Sequence, residues 1–314
     1  MKKEIILESR AEQSRAEQSR AEQSRAEHCK RLVCIVLIAI IGLVIIIMAN
    51  KWKYDTTTVK IEPEYEYYVS NDKVVEFSID DATEILWDIN NNPQWESIFD
   101  EERMAMLKQF HETYDADVTL FLYENVWDWN IDDFPSKYKN EFEENSDWLK
   151  LGWHSYDDQN PEDSGITSSE MIESFNRTYR EIERFAGKDS WAKELRLHYW
   201  YGDEELMMAL SEAGIDYIYY PDRDTIGYDF DEKEDELIRQ NGSLEKEYND
   251  DSMVYVLTDF RFEDDDRLYD ELESVNKDKI VVFTHAWIIK DNLDELEDLG
   301  QWAKENNYSL NYFN

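Results

Sequence analysis

Apolar residues along the chain switch between two periods. The stretch Val74-Val75-Glu76-Phe77-Ser78-Ile79 reads as a buried strand, and Met104, Leu107, Phe110 and Tyr114 recur at helical spacing over 101–114. Val118 to Leu122 is the next strand, and Leu149 to Trp153 a weaker one. A helix then opens at Thr167-Ser168-Ser169-Glu170, which has capping-box spacing, and carries Met171, Ile172, Phe175, Tyr179, Ile182 and Phe185 on one face. Asp203 caps a further helix with Leu206, Met207 and Leu210 inward and Gly214 ending it. Strands follow at Ile215 to Tyr220 and Lys279 to Thr284, then a last helix over Leu293 to Lys304. Repeated strand–helix order predicts an α/β domain with a mainly parallel sheet, either a barrel or an open doubly wound sheet. The acid-rich stretch 229–252 reads as an insertion or exposed loop.

Two segments before residue 71 follow neither period. Residues 32–49, LVCIVLIAIIGLVIIIMA, carry no charge and are long enough to cross a bilayer as a helix. No small-residue cleavage pattern follows, so this is expected to be an uncleaved signal anchor. Residues 1–31 hold eight Lys and Arg, which places the N-terminus in the cytoplasm and the C-terminal domain outside. That tail contains three copies of Ala-Glu-Gln-Ser-Arg over 11–25. A five-residue period spreads like residues around a helix, so it forms a low-complexity tail and no coiled coil. Residues 50–70 read as a stalk, and 71–314 as the folded domain.

Charge sharpens this picture. The net charge of −40 excludes a nucleic-acid partner, because the phosphate backbone would be repelled. The two cysteines, Cys29 and Cys34, lie at or before the start of the apolar span, so the outer domain stands on its core without disulfides.

Candidate chemistry lies where strands end, the place parallel α/β architectures put functional groups. Asp80 and Asp81 close the first strand, and three of the five histidines, His154, His198 and His285, follow others, with Arg196 beside His198. Adjacent carboxylates leave a strand end in different directions, so one can hold a metal while the other acts as base. Asp81, His154 and Asp158 supply three protein ligands and leave positions open, the pattern of a catalytic zinc site.

These residues resemble the NodB-homology polysaccharide deacetylases, carbohydrate esterase family 4. Ser78-Ile79-Asp80-Asp81-Ala82 resembles the family's first motif at the Asp pair, and His154-Ser155-Tyr156-Asp157-Asp158 its second. Arg196-Leu197-His198-Tyr199-Trp200-Tyr201-Gly202 is similar to the third, and Phe283-Thr284-His285 to the Leu-x-His motif. Order and spacing agree over about residues 71 to 290. The resemblance implies a distorted (β/α)7 barrel, with Asp80 as base, Asp81 and His154 as metal ligands, Arg196 orienting the base and His285 as general acid. The reaction would be metal-assisted removal of N-acetyl groups from amino sugars of a polysaccharide. The chain departs from the pattern at Asp158, where the family has His, at Ala82 for Gly and at His198 for Pro, and it offers no convincing fourth-motif Trp.

Trp153, Tyr156, Tyr199, Trp200 and Trp287 lie next to the proposed ligands and are placed to stack on sugar rings, with His198 among the substrate-binding groups. Two other readings compete. One is a carbohydrate-binding protein that kept the barrel and lost efficient chemistry. The other is a glycoside hydrolase, whose two carboxylates leave the strand-end histidines without a role.

Overall fold

A computed structural model gives the fold, and it describes residues 59–61, 73–264, 272 and 277–313. The expected cytoplasmic repeat, membrane span and most of the stalk lie outside the described residues, among which no helix is long and apolar enough to cross a membrane.

Strand β1 (Val74–Asp80) is buried along its whole length. After it come helices α1 (Thr83–Asn91) and α2 (Glu102–Tyr114), then β2 (Val118–Tyr123) and a small hairpin of β3 (Asn125–Val126) and β4 (Trp129–Asn130). Helix α3 (Lys139–Glu144) precedes β5 (Leu149–Ser155), and α4 (Pro161–Ser164) and α5 (Ser168–Phe185) lead to the two-residue β6 (Glu194–Leu195). Next are α6 (Glu204–Ala213), β7 (Tyr217–Tyr220), α7 (Glu232–Asn241), β8 (Ser243–Tyr248), β9 (Asp251–Leu257) and β10 (Phe260–Arg261). Strand β11 (Lys279–His285), helix α8 (Leu293–Asn306) and β12 (Ser309–Leu310) complete the order.

The expected α/β architecture with a parallel sheet is present. β11, β1, β2 and β5 are neighbours in one sheet, and β6, β7 and β9 in another, all parallel, while β8 runs antiparallel on the edge of β9. Backbone bonds join the two sheets at both sides. Ala192 N–H donates to Leu151 C=O at 2.9 Å beside the Leu151–Trp191 bridge. On the other side Thr258 N–H donates to Tyr220 C=O at 3.0 Å while Asp259 N–H donates to Val281 C=O at 2.9 Å. The segment leaving β9 therefore passes from β7 to β11, and the parallel strands follow one another in a circle. Strands enclosed in this way are buried on both faces, which is why β1 and β2 read as near-continuous apolar runs.

The local signals hold. Thr167 and Glu170 form a reciprocal capping box, Asp203 caps α6 through Leu206 N–H, and Gly214 ends α6 at φ 93°. That glycine is required twice over, by its left-handed backbone and by Ile61 C=O, which a Cβ would approach to 2.3 Å. Val59 and Ile61, placed in the stalk by sequence, are buried, and Ile61 N–H donates to Ala213 C=O at 2.8 Å. Stretch 229–252, expected as an insertion or loop, folds as α7, β8 and the start of β9. Its solvent-facing side is dense in acids while Phe230, Ile238 and Tyr248 are its buried apolar residues, so the apolar period is too sparse to read.

Candidate active site

The parallel register sets Asp80 directly beside His285. Asp80 is buried at the end of β1 and accepts a hydrogen bond from Arg196 Nη1 at 3.0 Å, and the same nitrogen donates to Ser78 Oγ at 2.9 Å. The Arg196 guanidinium lies 4.1 Å from the Phe283 ring centroid and 4.9 Å from that of Tyr219. A buried cation flanked by aromatic faces and bonded to one carboxylate fixes that carboxylate's direction.

Asp81 turns away from its neighbour because its backbone is left-handed, φ 59°, a conformation Asp tolerates better than most residues. Its carboxylate accepts from the Tyr123 hydroxyl and lies 3.5 Å from His154 Nε2. His154 occupies an irregularity in β5: Leu122 pairs with Trp153 but Tyr123 with Ser155, which makes His154 the extra residue of a bulge. Bulges re-aim side chains next to sites. Here the result is that Trp153 and His154 diverge. Trp153 is fully buried, donates from Nε1 to Ser174 Oγ at 3.1 Å and packs on Phe175 of α5. It is a core residue, which corrects its expected place at the substrate surface.

Asp81, His154 and His198 each offer a ligand atom within 4.8 Å of the others. His198, expected to touch substrate, thus stands where sequence placed Asp158. Asp158 contributes its backbone carbonyl instead, 3.2 Å from His198 Nε2. In the tautomer that satisfies this carbonyl, Nε2 of His198 carries the ring proton. By the same argument His154 Nδ1 donates to Arg196 C=O. The two remaining nitrogens, His154 Nε2 and His198 Nδ1, then face each other unprotonated at 3.2 Å, with a carboxylate alongside. Three lone-pair donors converge, and a divalent cation fits this set: two imidazoles and one carboxylate, with each imidazole oriented by a backbone carbonyl. Burial and the neighbouring His198 push the His154 pKa down to about 3, and burial lowers that of His198, so both rings are neutral. Tyr123 Oη lies 2.8 Å from His198 Nδ1 and closes the triangle.

His285 is paired through Nδ1 with Glu263, whose other oxygen accepts from Thr284 Oγ1 at 3.3 Å. Burial opposes a charge on His285, but the bond to Glu263 and the Asp80 and Asp81 carboxylates outweigh it and raise its pKa. Behind Glu263 stands Arg261, held by Asp222 at 3.1 Å. Asp222 lies in the region where the fourth motif was sought. Glu263 and Tyr123 are site residues that sequence reasoning missed, and their one signal was position, at or just past the end of a strand.

Of the aromatic residues placed near the ligands, Tyr199 and Trp287 are each 55% exposed, and Tyr199 contacts His198 while Trp287 tilts over His285 at 5.4 Å. Tyr156 is exposed, and Trp200 is half-buried between the Arg223 and Arg261 guanidinium groups. Tyr199 and Trp200 both have positive φ, 54° and 51°, so the loop after His198 is strained at two bulky residues. Together these groups bring two carboxylates, a histidine paired with Glu263 and a candidate cation site into one strand-end cluster.

No family profile matches the chain, and no curated protein matches it. Solved structures to which it is similar include a candidate polysaccharide deacetylase from Mycobacterium smegmatis, with TM-score 0.48 and 11% identity over 81% of this chain and 92% of that one. The 4-alpha-glucanotransferase from Thermococcus litoralis gives TM-score 0.49 and 11% identity over 76% of this chain, but only 39% of its own. The peptidoglycan deacetylase from Bacillus subtilis gives TM-score 0.41 and 14% identity over 77% of this chain and 89% of that one. Polysaccharide and peptidoglycan deacetylases thus stand among the structures to which this chain is similar.

Proposed function

We propose that the chain is a metal-dependent hydrolase that removes N-acetyl groups from amino-sugar residues of a cell-wall or extracellular polysaccharide, on a distorted (β/α)7 barrel. In this reading residues 32–49 anchor it in the membrane, with the N-terminus cytoplasmic and the site outside. The observation that carries the proposal is the convergence of Asp81, His154 and His198 ligand atoms within 4.8 Å of one another, with His154 Nε2 and His198 Nδ1 3.2 Å apart, an arrangement a cation would reconcile. Two imidazoles and a carboxylate suit zinc, the ion expected from the sequence. Asp81, His154 and His198 would hold it, and it would there polarise an acyl oxygen and acidify water.

The chain's own groups account for the proton traffic of amide hydrolysis. Asp80, fixed by Arg196, which Ser78 holds in turn, takes the proton of the attacking water. His285, its charge supported by Glu263, gives a proton to the departing nitrogen. The substitutions at the second and third motifs offset each other: Asp158 withdraws a ligand, and His198 returns one.

The test is acetate release from N-acetylglucosamine oligomers by the full chain, with about one divalent ion bound. Asp80→Asn should retain the ion and lose roughly 100-fold or more in rate. If the wild type binds ion and glycan yet releases no acetate from any candidate substrate, the carbohydrate-binding reading replaces this one.

A further inference from the structure

Trp127 is the most exposed large apolar side chain among the described residues, at 59%, and it sits at the tip of the β3–β4 hairpin. Its φ is 53°, in a two-residue turn position that glycine or asparagine occupies at less cost. A bulky indole retained there is strained locally and stays more than half exposed, so its value to the chain lies in what it presents.

Its surroundings say what that is. Trp87, on the helix that starts two residues after Asp81, meets the Trp127 ring at 4.8 Å and 83°, which fixes the indole while leaving it open. The hairpin grows from the end of β2 two residues beyond Tyr123, whose hydroxyl bonds Asp81, and Asn125 N–H ties it to Tyr156 C=O at 2.9 Å. The indole therefore stands at the strand-end rim on the β2 side of the metal triangle. Asp128, exposed beside it, offers carboxylate oxygens to hydroxyl groups. A flat exposed ring matches the C–H face of a pyranose, and an exposed carboxylate next to it in the turn suits the sugar's hydroxyls. A chain of net charge −40 also favours a neutral ligand over an acidic surface.

We propose that Trp127, braced by Trp87, is a stacking platform for a pyranose unit of the glycan, next to the unit whose acetyl group reacts. The inference rests on the carbohydrate reading above and extends it. Recognition spans more than one sugar, so affinity should rise with oligomer length, and the β2-side hairpin should account for part of the rise.

The experiment is calorimetric binding of N-acetylglucosamine monomer and pentamer to the zinc-loaded full chain and to two variants. Trp127→Gly suits the positive φ and should fold, and it should weaken the pentamer about fivefold, the scale of one ring contact, with the monomer shifted less than about twofold. Trp87→Ala should weaken the pentamer in the same direction. Equal pentamer affinity in wild type and Trp127→Gly overturns the platform while leaving the deacetylase reading intact. A wild type that binds no oligomer of any length overturns both.

Discussion

Glu263 holds His285 by its Nδ1 nitrogen, and His285 lies beside Asp80 in the register of β11 and β1. The carboxylate favours the imidazolium, so it keeps the acid charged to a higher pH than an isolated histidine. In Glu263→Gln that support is lost and the His285 pKa falls. The alkaline limb of the pH–kcat/KM profile should then move to lower pH by about one unit, with the acid limb in place. An alkaline limb that does not move would remove Glu263 from the proton chemistry.

His198 stands where the sequence placed the Asp158 carboxylate, and substitution separates the two. His198→Ala removes a ligand and should lower zinc affinity by roughly 100-fold or more. Asp158→Ala preserves the carbonyl that orients His198 and should change affinity by less than about threefold. Competition with a chromogenic chelator measures both. A large loss in Asp158→Ala with none in His198→Ala would return the ligand role to the Asp158 carboxylate.

The order of strands and helices was legible because enclosed parallel strands are apolar on both faces and the helices carry one apolar stripe, as α5 does from Met171 to Phe185. Asp80, Asp81, His154 and His285 were legible for a related reason: each lies at or beside the end of such a strand, whereas Arg196 was legible only through its motif. What spacing could not reveal was direction. Trp153 and His154 are neighbours in sequence, but a bulge sends one into the core and the other into the site. His198 was read as substrate-binding because its place in the third motif suggested no ligand. Its direction depends on a carbonyl 40 residues away. Two-residue β6 was invisible for want of any period, and Glu263 because its neighbours are acids too.

Trp153 and Tyr199 flank the same histidines with opposite consequences for stability. Trp153 fills the layer between β5 and α5, so Trp153→Ala should cost about 3–5 kcal/mol, read from the denaturant midpoint. Tyr199 is exposed at positive φ, and Tyr199→Ala should stay within about 0.5 kcal/mol while weakening glycan binding. Equal destabilisation by the two would contradict the division between core and surface.

Asp117 gives a pH dependence that is independent of the site. Its carboxyl accepts from Asn311 Nδ2 at 3.2 Å and Tyr312 N–H at 3.3 Å where the C-terminal segment closes against β2. Burial raises its pKa to about 6 against the pull of those two donors. The folded chain therefore holds a proton there that the unfolded chain releases near its ordinary value of 3.8. Between these pH values the native state binds more protons, so this group's contribution to stability falls as pH rises from 3.8 toward about 6, and the cost persists above. Asp117→Asn keeps an oxygen for both donors and carries no charge. It should raise Tm by about 3 °C at pH 7.5 and leave it nearly unchanged near pH 3.5. Calorimetric scans at the two pH values measure the difference, and a gain of equal size at both would show that packing, not ionisation, sets the effect.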